Sequence, residues 1–305
     1  KVGTGLRPGY GVCRRKIWAH CRSFPPVCRI QISTRIVYKQ FWGTGMELWK
    51  AAILGMVQGV TEFLPVSSSG HLILFERILN ADTGGADMFL GVMLHAGTLV
   101  AVLAVYAPML WDLLKNDRKK LGFLLLATLP AALVGVFLGD LVDSVFFGGK
   151  WLWLFFALTA LLLFVCERRS RRPRLLRPLN AGRSLIAGGA QALAVIPGLS
   201  RSGATLAAGI LAGLPREEAA DFSFLMSIPV IAGAIFVELV KAMRGGGYAA
   251  GVSWQCLAVG GACAALFGFL SVKGMLRAVK GGKLTGFAVY LAILSAVLLA
   301  LQFIF

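Results

Sequence analysis

The stretch Gln58-Gly59-Val60-Thr61-Glu62-Phe63-Leu64-Pro65-Val66-Ser67-Ser68-Ser69-Gly70-His71 decides how this chain is read. It lies inside an apolar tract, 51–75, that one carboxylate and one proline interrupt. Gln58 and Glu62 are four apart and share a helix face; Pro65 ends that helix, and Ser67 to Ser69 stand where a second one begins, with Ser67 and His71 again on one face. Backbone that breaks at membrane depth is tolerated only where it is buried in protein or lines a wet cavity, and an ionisable group there is a functional candidate. The stretch therefore reads as a re-entrant helical hairpin. A merely proline-kinked span would not explain why the break carries a charge and a serine cluster.

A second interrupted tract, 184–215, contains Pro197-Gly198-Leu199-Ser200-Arg201-Ser202-Gly203-Ala204-Thr205. It matches the first at a constant offset of 133: Ile53/Ile186, Gly55/Gly188, Gln58/Gln191, Ser67/Ser200, Ser69/Ser202 and Gly70/Gly203. After one slipped residue, Ala86-Asp87 meets Ala220-Asp221. Charge-free apolar tracts follow at 88–111, 121–139 and 151–166 in the first half and at 222–237, 245–272 and 284–305 in the second. About 20 apolar residues cross a bilayer, so these are six expected spans, with 151–166 and 222–237 the shortest. The expected fold is an all-α polytopic membrane protein. It has six transmembrane helices plus two re-entrant hairpins, in an inverted-topology repeat of halves at about 46–167 and 182–305. An odd number of spans after each hairpin inverts the second half and puts a site between the repeats at the midplane.

Composition agrees. The chain is 57% hydrophobic and 15% charged over 305 residues, too apolar for disorder or for a soluble domain. The net charge of +17 would suggest nucleic acid in a soluble protein, but nine basic residues and no acid lie in 1–45. Most of the rest flank apolar tracts. Residues 1–45 are read as a basic appendage outside the fold, either an upstream extension from a misplaced start, with Met46 the native one, or a targeting arm. Residues 46–305 form the membrane domain. The cysteines have no zinc spacing, so no redox or metal role follows from them.

Basic residues in short loops set orientation. The segments 112–120, 168–183 and 273–283 carry them, which makes those loops cytoplasmic and puts the first hairpin's entry and the C-terminus outside.

The two breaks carry chemistry. First-turn N–H groups of a helix have no intrahelical partner and sit at the positive end of its dipole, so Ser67–Ser69 and Ser200–Ser202 mark two anion sites. Arg201 adds a permanent cation whose planar fork suits phosphate oxygens. An Arg201–Glu62 ion pair acting as a plain stabiliser is the competing reading, and buried ion pairs are poor stabilisers. One carboxylate beside an anion pocket implies a proton or a metal to handle, and a membrane site with access to hydrocarbon suits a lipid-linked polyanion. His95, within Leu94-His95-Ala96-Gly97-Thr98, is read as a packed polar residue, with reach to the site as the alternative.

The Gln58-x3-Glu62 motif running into Phe63-Leu-Pro-Val-Ser-Ser-Ser-Gly-His71, together with 197–205 and Phe222-Ser-Phe-Leu225, resembles the undecaprenyl-diphosphate phosphatases of the bacitracin-resistance type over 46–305. The resemblance implies an integral membrane hydrolase. It would convert undecaprenyl diphosphate to undecaprenyl phosphate and phosphate, recycling the carrier for peptidoglycan synthesis and conferring bacitracin resistance. It implies Ser68 as nucleophile, Glu62 as base or metal carboxylate, and His71 as acid/base or alternative nucleophile. Arg201 would be the phosphate clamp, with Gln58, Ser67, Ser69, Ser200, Ser202 and Thr205 as phosphate-binding groups. It further implies Mg2+ or Ca2+. Gln58 stands where Glu is frequent, which leaves Glu62 as the one carboxylate for metal and favours a cation held mainly by the diphosphate.

The expected location is the bacterial inner membrane with the site facing the periplasmic side. The expected partners are the lipid substrate and the bilayer, with homodimerisation left open and nucleic acid excluded. The competing class is a carrier flippase or secondary transporter, which inverted repeats also serve. A pure transporter needs no nucleophile beside a base.

Overall fold

The computed structural model describes residues 46–81, 87–146, 148–171, 175–244 and 252–304; the expected basic appendage 1–45 lies outside them. The described residues form ten α-helices and no strand. They are α1 (Leu48–Phe63), α2 (Ser68–Ile78), α3 (Asp87–Asn116), α4 (Arg118–Phe146), α5 (Leu152–Ser170), α6 (Ala181–Leu193), α7 (Arg201–Leu211), α8 (Arg216–Arg244), α9 (Trp254–Lys280) and α10 (Leu284–Ile304).

Each half is a pair of short helices followed by three long ones, and α7 repeats α2 at an offset of 133 at both ends. Local chemistry sets the breaks. Pro65 forces Leu64 into extended backbone (φ −74°, ψ 147°), so α1 stops at Phe63. The second hairpin turns at Pro197-Gly198, where Gly198 takes φ +93°, a conformation glycine adopts at little cost. Ser67 and Ser200 then cap α2 and α7, their side-chain oxygens accepting from Gly70 N and Gly203 N.

Packing exchanges the halves: α1 lies against α9 and α6 against α4, while α3 meets α8 and α5 meets α10. Glycines allow the closest of these approaches. A Cβ at Gly55 would fall 2.2 Å from the Gly260 carbonyl oxygen, and one at Gly188 would fall 2.5 Å from that of Ala127. Gly188 is the repeat equivalent of Gly55. Close small-residue contact is how membrane helices associate where no hydrophobic drive separates helix from lipid.

Five helices are long and apolar enough to span a bilayer, at Phe89–Asn116, Arg118–Val142, Arg216–Lys241, Trp254–Lys280 and Leu284–Gln302. The chain is thus an all-α, multi-pass membrane protein. On α4, Leu125, Leu129, Leu133, Val136 and Phe137 are exposed, an apolar outer face suited to lipid. The sixth expected span is α5, whose last turn carries Glu167, Arg168 and Arg169 and leaves a short apolar run. Several helices outrun the apolar tracts: α9 continues through Lys273, Arg277 and Lys280, so most of the expected 273–283 loop is helix, while residues 245–251 of its expected span lie outside the described residues. Lys and Arg are good helix formers, and their charge is favourable at a helix C-terminus.

Candidate active site

The two hairpin tips cross. A Cβ on Gly70 would lie 3.2 Å from Gly198 Cα, and one on Gly203 would lie 3.2 Å from Pro65 Cβ, two contacts that exchange when the repeats are exchanged. Ser202 Oγ donates to the Leu64 carbonyl across the same crossing, at 2.8 Å. The tips therefore bring the first turn of α2 against the first turn of α7.

Glu62 is the hub. It is 7% exposed, the penultimate residue of α1, and both its oxygens are engaged. Ser68 Oγ donates to Oε2 at 2.5 Å and Gln58 Nε2 donates to the same oxygen at 3.1 Å. The Arg201 guanidinium pairs with Oε1 through Nη2. Ser68 and Arg201 hold equivalent places, each the first residue of its hairpin's second helix. The repeat thus puts a hydroxyl and a guanidinium on the two oxygens of one carboxylate. Among the described residues, Arg201 Nη1 is buried with no hydrogen-bond acceptor, as is Gln58 Oε1 with no donor. Half of the guanidinium fork is left for another anion, so the Glu62 pair does not exhaust what Arg201 offers.

The hydroxyls divide by exposure. Ser68 and Ser69 are half-buried. Ser67, Ser200, Ser202 and Thr205 are 1 to 3% exposed and occupied internally. Ser67 Oγ and Ser200 Oγ cap their helices, Ser202 spans the crossing, and Thr205 Oγ1 lies 2.9 Å from the Arg201 carbonyl and 2.5 Å from Ser223 Oγ. As placed, these four brace the two helix starts.

His71 does not bridge Glu62 and Ser68, which touch directly. Its Nδ1 lies 2.7 Å from the Ser67 carbonyl oxygen and its Nε2 lies 2.7 Å from the Tyr290 hydroxyl on α10. His95, on α3, donates from Nδ1 to the Gly91 carbonyl at 2.9 Å. Sequence reading did not single out Tyr290 or Thr159, whose hydroxyl accepts from Ser200 N at 3.2 Å. Each is a lone polar residue in an apolar span, a signal too common to point anywhere. Ser223 sat in the Phe222-Ser-Phe-Leu225 motif.

For a divalent cation the chain supplies little. No group of three His, Cys, Asp or Glu side chains converges among the described residues. Glu62 and the free Gln58 Oε1 are hard oxygen donors of the kind Mg2+ and Ca2+ take. They fit a cation whose remaining ligands arrive with the substrate.

A serine held on a buried carboxylate, beside a half-free guanidinium at two helix starts, is equipped to take a phosphoryl group. Residues 51–297 match the family described as bacitracin resistance protein BacA. The chain belongs to the BacA family. A protein of Halothermothrix orenii named undecaprenyl-diphosphatase is 38% identical over 263 residues, covering 85% of this chain and all of the relative. Its namesake in Rubrobacter xylanophilus is 39% identical over 272 residues, 84% of this chain and 98% of the relative. One from Methanosphaera stadtmanae is 33% identical over 280 residues, 84% of this chain and 99% of the relative. Both helix breaks, at Pro65 and at Pro197-Gly198, lie inside the matched segment.

Proposed function

We propose that this protein hydrolyses undecaprenyl diphosphate to undecaprenyl phosphate and inorganic phosphate, through Ser68 as nucleophile and Glu62 as base. The observation that carries the reading is the 2.5 Å bond from Ser68 Oγ to Glu62 Oε2 beside Arg201. Membership of the BacA family and the names of the relatives support the substrate.

Glu62 takes the hydroxyl proton as Ser68 Oγ attacks the terminal phosphorus. The bond to the bridging oxygen breaks and undecaprenyl phosphate leaves, with the phosphoryl group on Ser68. The proton on Glu62 leaves with the undecaprenyl phosphate; the freed carboxylate then takes a proton from a water whose oxygen attacks the phosphorus, and passes it to Ser68 Oγ as the P–O bond to the serine breaks and inorganic phosphate departs. Arg201 exchanges part of its contact with Glu62 for the equatorial oxygens, and its free Nη1 gives it a second donor for them. The first-turn N–H groups of α2 and α7 add fixed dipoles where charge accumulates. A divalent cation, Mg2+ or Ca2+, would be held by Glu62, Gln58 Oε1 and the diphosphate, and when bound it neutralises phosphate charge.

We place the protein in the bacterial inner membrane, with α1–α2 and α6–α7 as opposed re-entrant hairpins. At about 1.5 Å per residue, α1, α2, α6 and α7 are each shorter than a bilayer core of about 30 Å. Loop charge supports a site open to the periplasmic side, where the carrier diphosphate is released by polymer assembly. Both hairpins come from one chain, so the site needs no second copy. The purified protein in detergent, given undecaprenyl diphosphate, is expected to release phosphate and to lose most of that activity on adding a chelator; no release with or without metal would overturn the reading.

A further inference from the structure

Ser67 is the strained point of the site. Its backbone has φ 70° and ψ 102°, outside the left-handed helical basin that small polar residues sometimes visit. Among the described residues, the one other non-glycine at positive φ is Asn80, a residue type that tolerates it. A serine in such a conformation persists only where its surroundings over-determine it.

The surroundings are His71 and Tyr290. The Ser67 carbonyl accepts twice from residue 71, from its backbone N–H at 3.3 Å and from ring Nδ1–H at 2.7 Å. A carbonyl can only accept, so the ring proton is on Nδ1. Nε2 of the neutral ring then accepts from the Tyr290 O–H at 2.7 Å. Tyr290 stacks on the imidazole (centroids 5.8 Å apart, 19° between planes) and Phe156 covers it at 5.4 Å. Both nitrogens are spent, and the ring makes no hydrogen bond to Ser68, Glu62 or Arg201 among the described residues.

The second repeat supplies an internal control. There the positive φ falls on Gly198, which needs no brace, and Ser200 has an ordinary φ of −71°. The residue equivalent to His71 is Ala204, whose backbone N–H alone reaches the Ser200 carbonyl, at 2.8 Å. A histidine stands behind the strained Ser67, and an alanine stands behind its equivalent Ser200, whose backbone is ordinary.

We propose that His71 and Tyr290 are positioning residues: together they hold Ser67 in the conformation that delivers Ser68 to Glu62, and neither takes a proton from the substrate nor carries the phosphoryl group. The proposal rests on the reading of Ser68 as nucleophile. It requires that the need for His71 vanish once residue 67 adopts a positive φ freely.

Wild type, His71→Ala, Ser67→Gly and the double variant form a cycle, measured both as phosphate release from undecaprenyl diphosphate and as thermal unfolding. In the serine background, His71→Ala is expected to lower kcat about 100-fold with KM little changed; in the Ser67→Gly background the same change should cost less than about 5-fold. Tyr290→Phe should lower kcat about 10-fold, and His71→Asn, which keeps a donor near the Nδ1 position but no acid or nucleophile, should retain most of the activity. Equal losses of kcat from His71→Ala in the two backgrounds, or a His71→Asn as inactive as His71→Ala, would overturn the proposal. If wild type releases no phosphate, the hydrolase reading fails by itself. The brace is then judged on unfolding: His71→Ala should lower Tm more in the serine than in the glycine background, and equal losses would refute it.

Discussion

Glu62 carries three demands at one carboxylate: it accepts from Ser68, accepts from Gln58 and pairs with Arg201. Removing it outright strands a buried guanidinium, an uncompensated charge that costs roughly 3–5 kcal/mol, so Glu62→Ala confounds chemistry with folding. Glu62→Gln keeps an acceptor for Ser68 and removes the base. It is expected to fold near normally by gel filtration while phosphate release falls at least about 10²-fold, the range general-base catalysis supplies. Arg201→Lys keeps the charge and loses the fork; a loss of about 10³-fold in kcat is expected, as for arginines that stabilise transferring phosphoryl groups, and near-normal kcat would remove the clamp. Gln58→Glu places a second carboxylate beside Glu62, and the activity of that variant should saturate at lower Mg2+ than wild type in a metal titration. Much of this was legible in the sequence because Gln58, Glu62, Ser68 and Arg201 lie in two short motifs whose spacing fixes their faces. The partner of His71 was not, since Tyr290 lies 219 residues away and only the packing of α10 brings it near.

At the scale of the element, the breaks matter more than the helices. Pro65 and Pro197-Gly198 were readable as breaks because proline restricts its predecessor and glycine opens positive φ, and the structure has both turns there. Helix ends were less readable, because apolar tracts mark where lipid ends and not where hydrogen bonding ends. Lys273, Arg277 and Lys280 continue α9 past its apolar run. The contact of α1 with α9 depends on Gly55, where a side chain would meet the Gly260 carbonyl. Gly55→Val should force these helices apart and lower Tm, and, because α1 carries Glu62, it should lower kcat as well. Gly91, with open space where a Cβ would go, serves as the control: Gly91→Ala should leave both measurements unchanged.

Across the whole molecule, two similar hairpins have come to hold different chemistry at matching places: Ser68 against Arg201, Glu62 against Val195, His71 against Ala204. The charge of +17, which first suggests a polyanion partner, is largely a matter of topology, set on the segment 1–45 and at the ends of long helices. Arg201 stands apart from that pattern, part-buried at the crossing. The account of orientation predicts that single cysteines at 118 and 277 are labelled by an impermeant reagent only from the cytoplasmic side in cells, and labelling of both from outside would invert the fold. The central claim, that Ser68 does the chemistry at the hairpin crossing, is tested most directly by the rate of phosphate release from undecaprenyl diphosphate by purified Ser68→Ala beside wild type. The account predicts a fall of at least about 10³-fold in a protein that elutes and melts like wild type. A folded Ser68→Ala that turns over near the wild-type rate would contradict it.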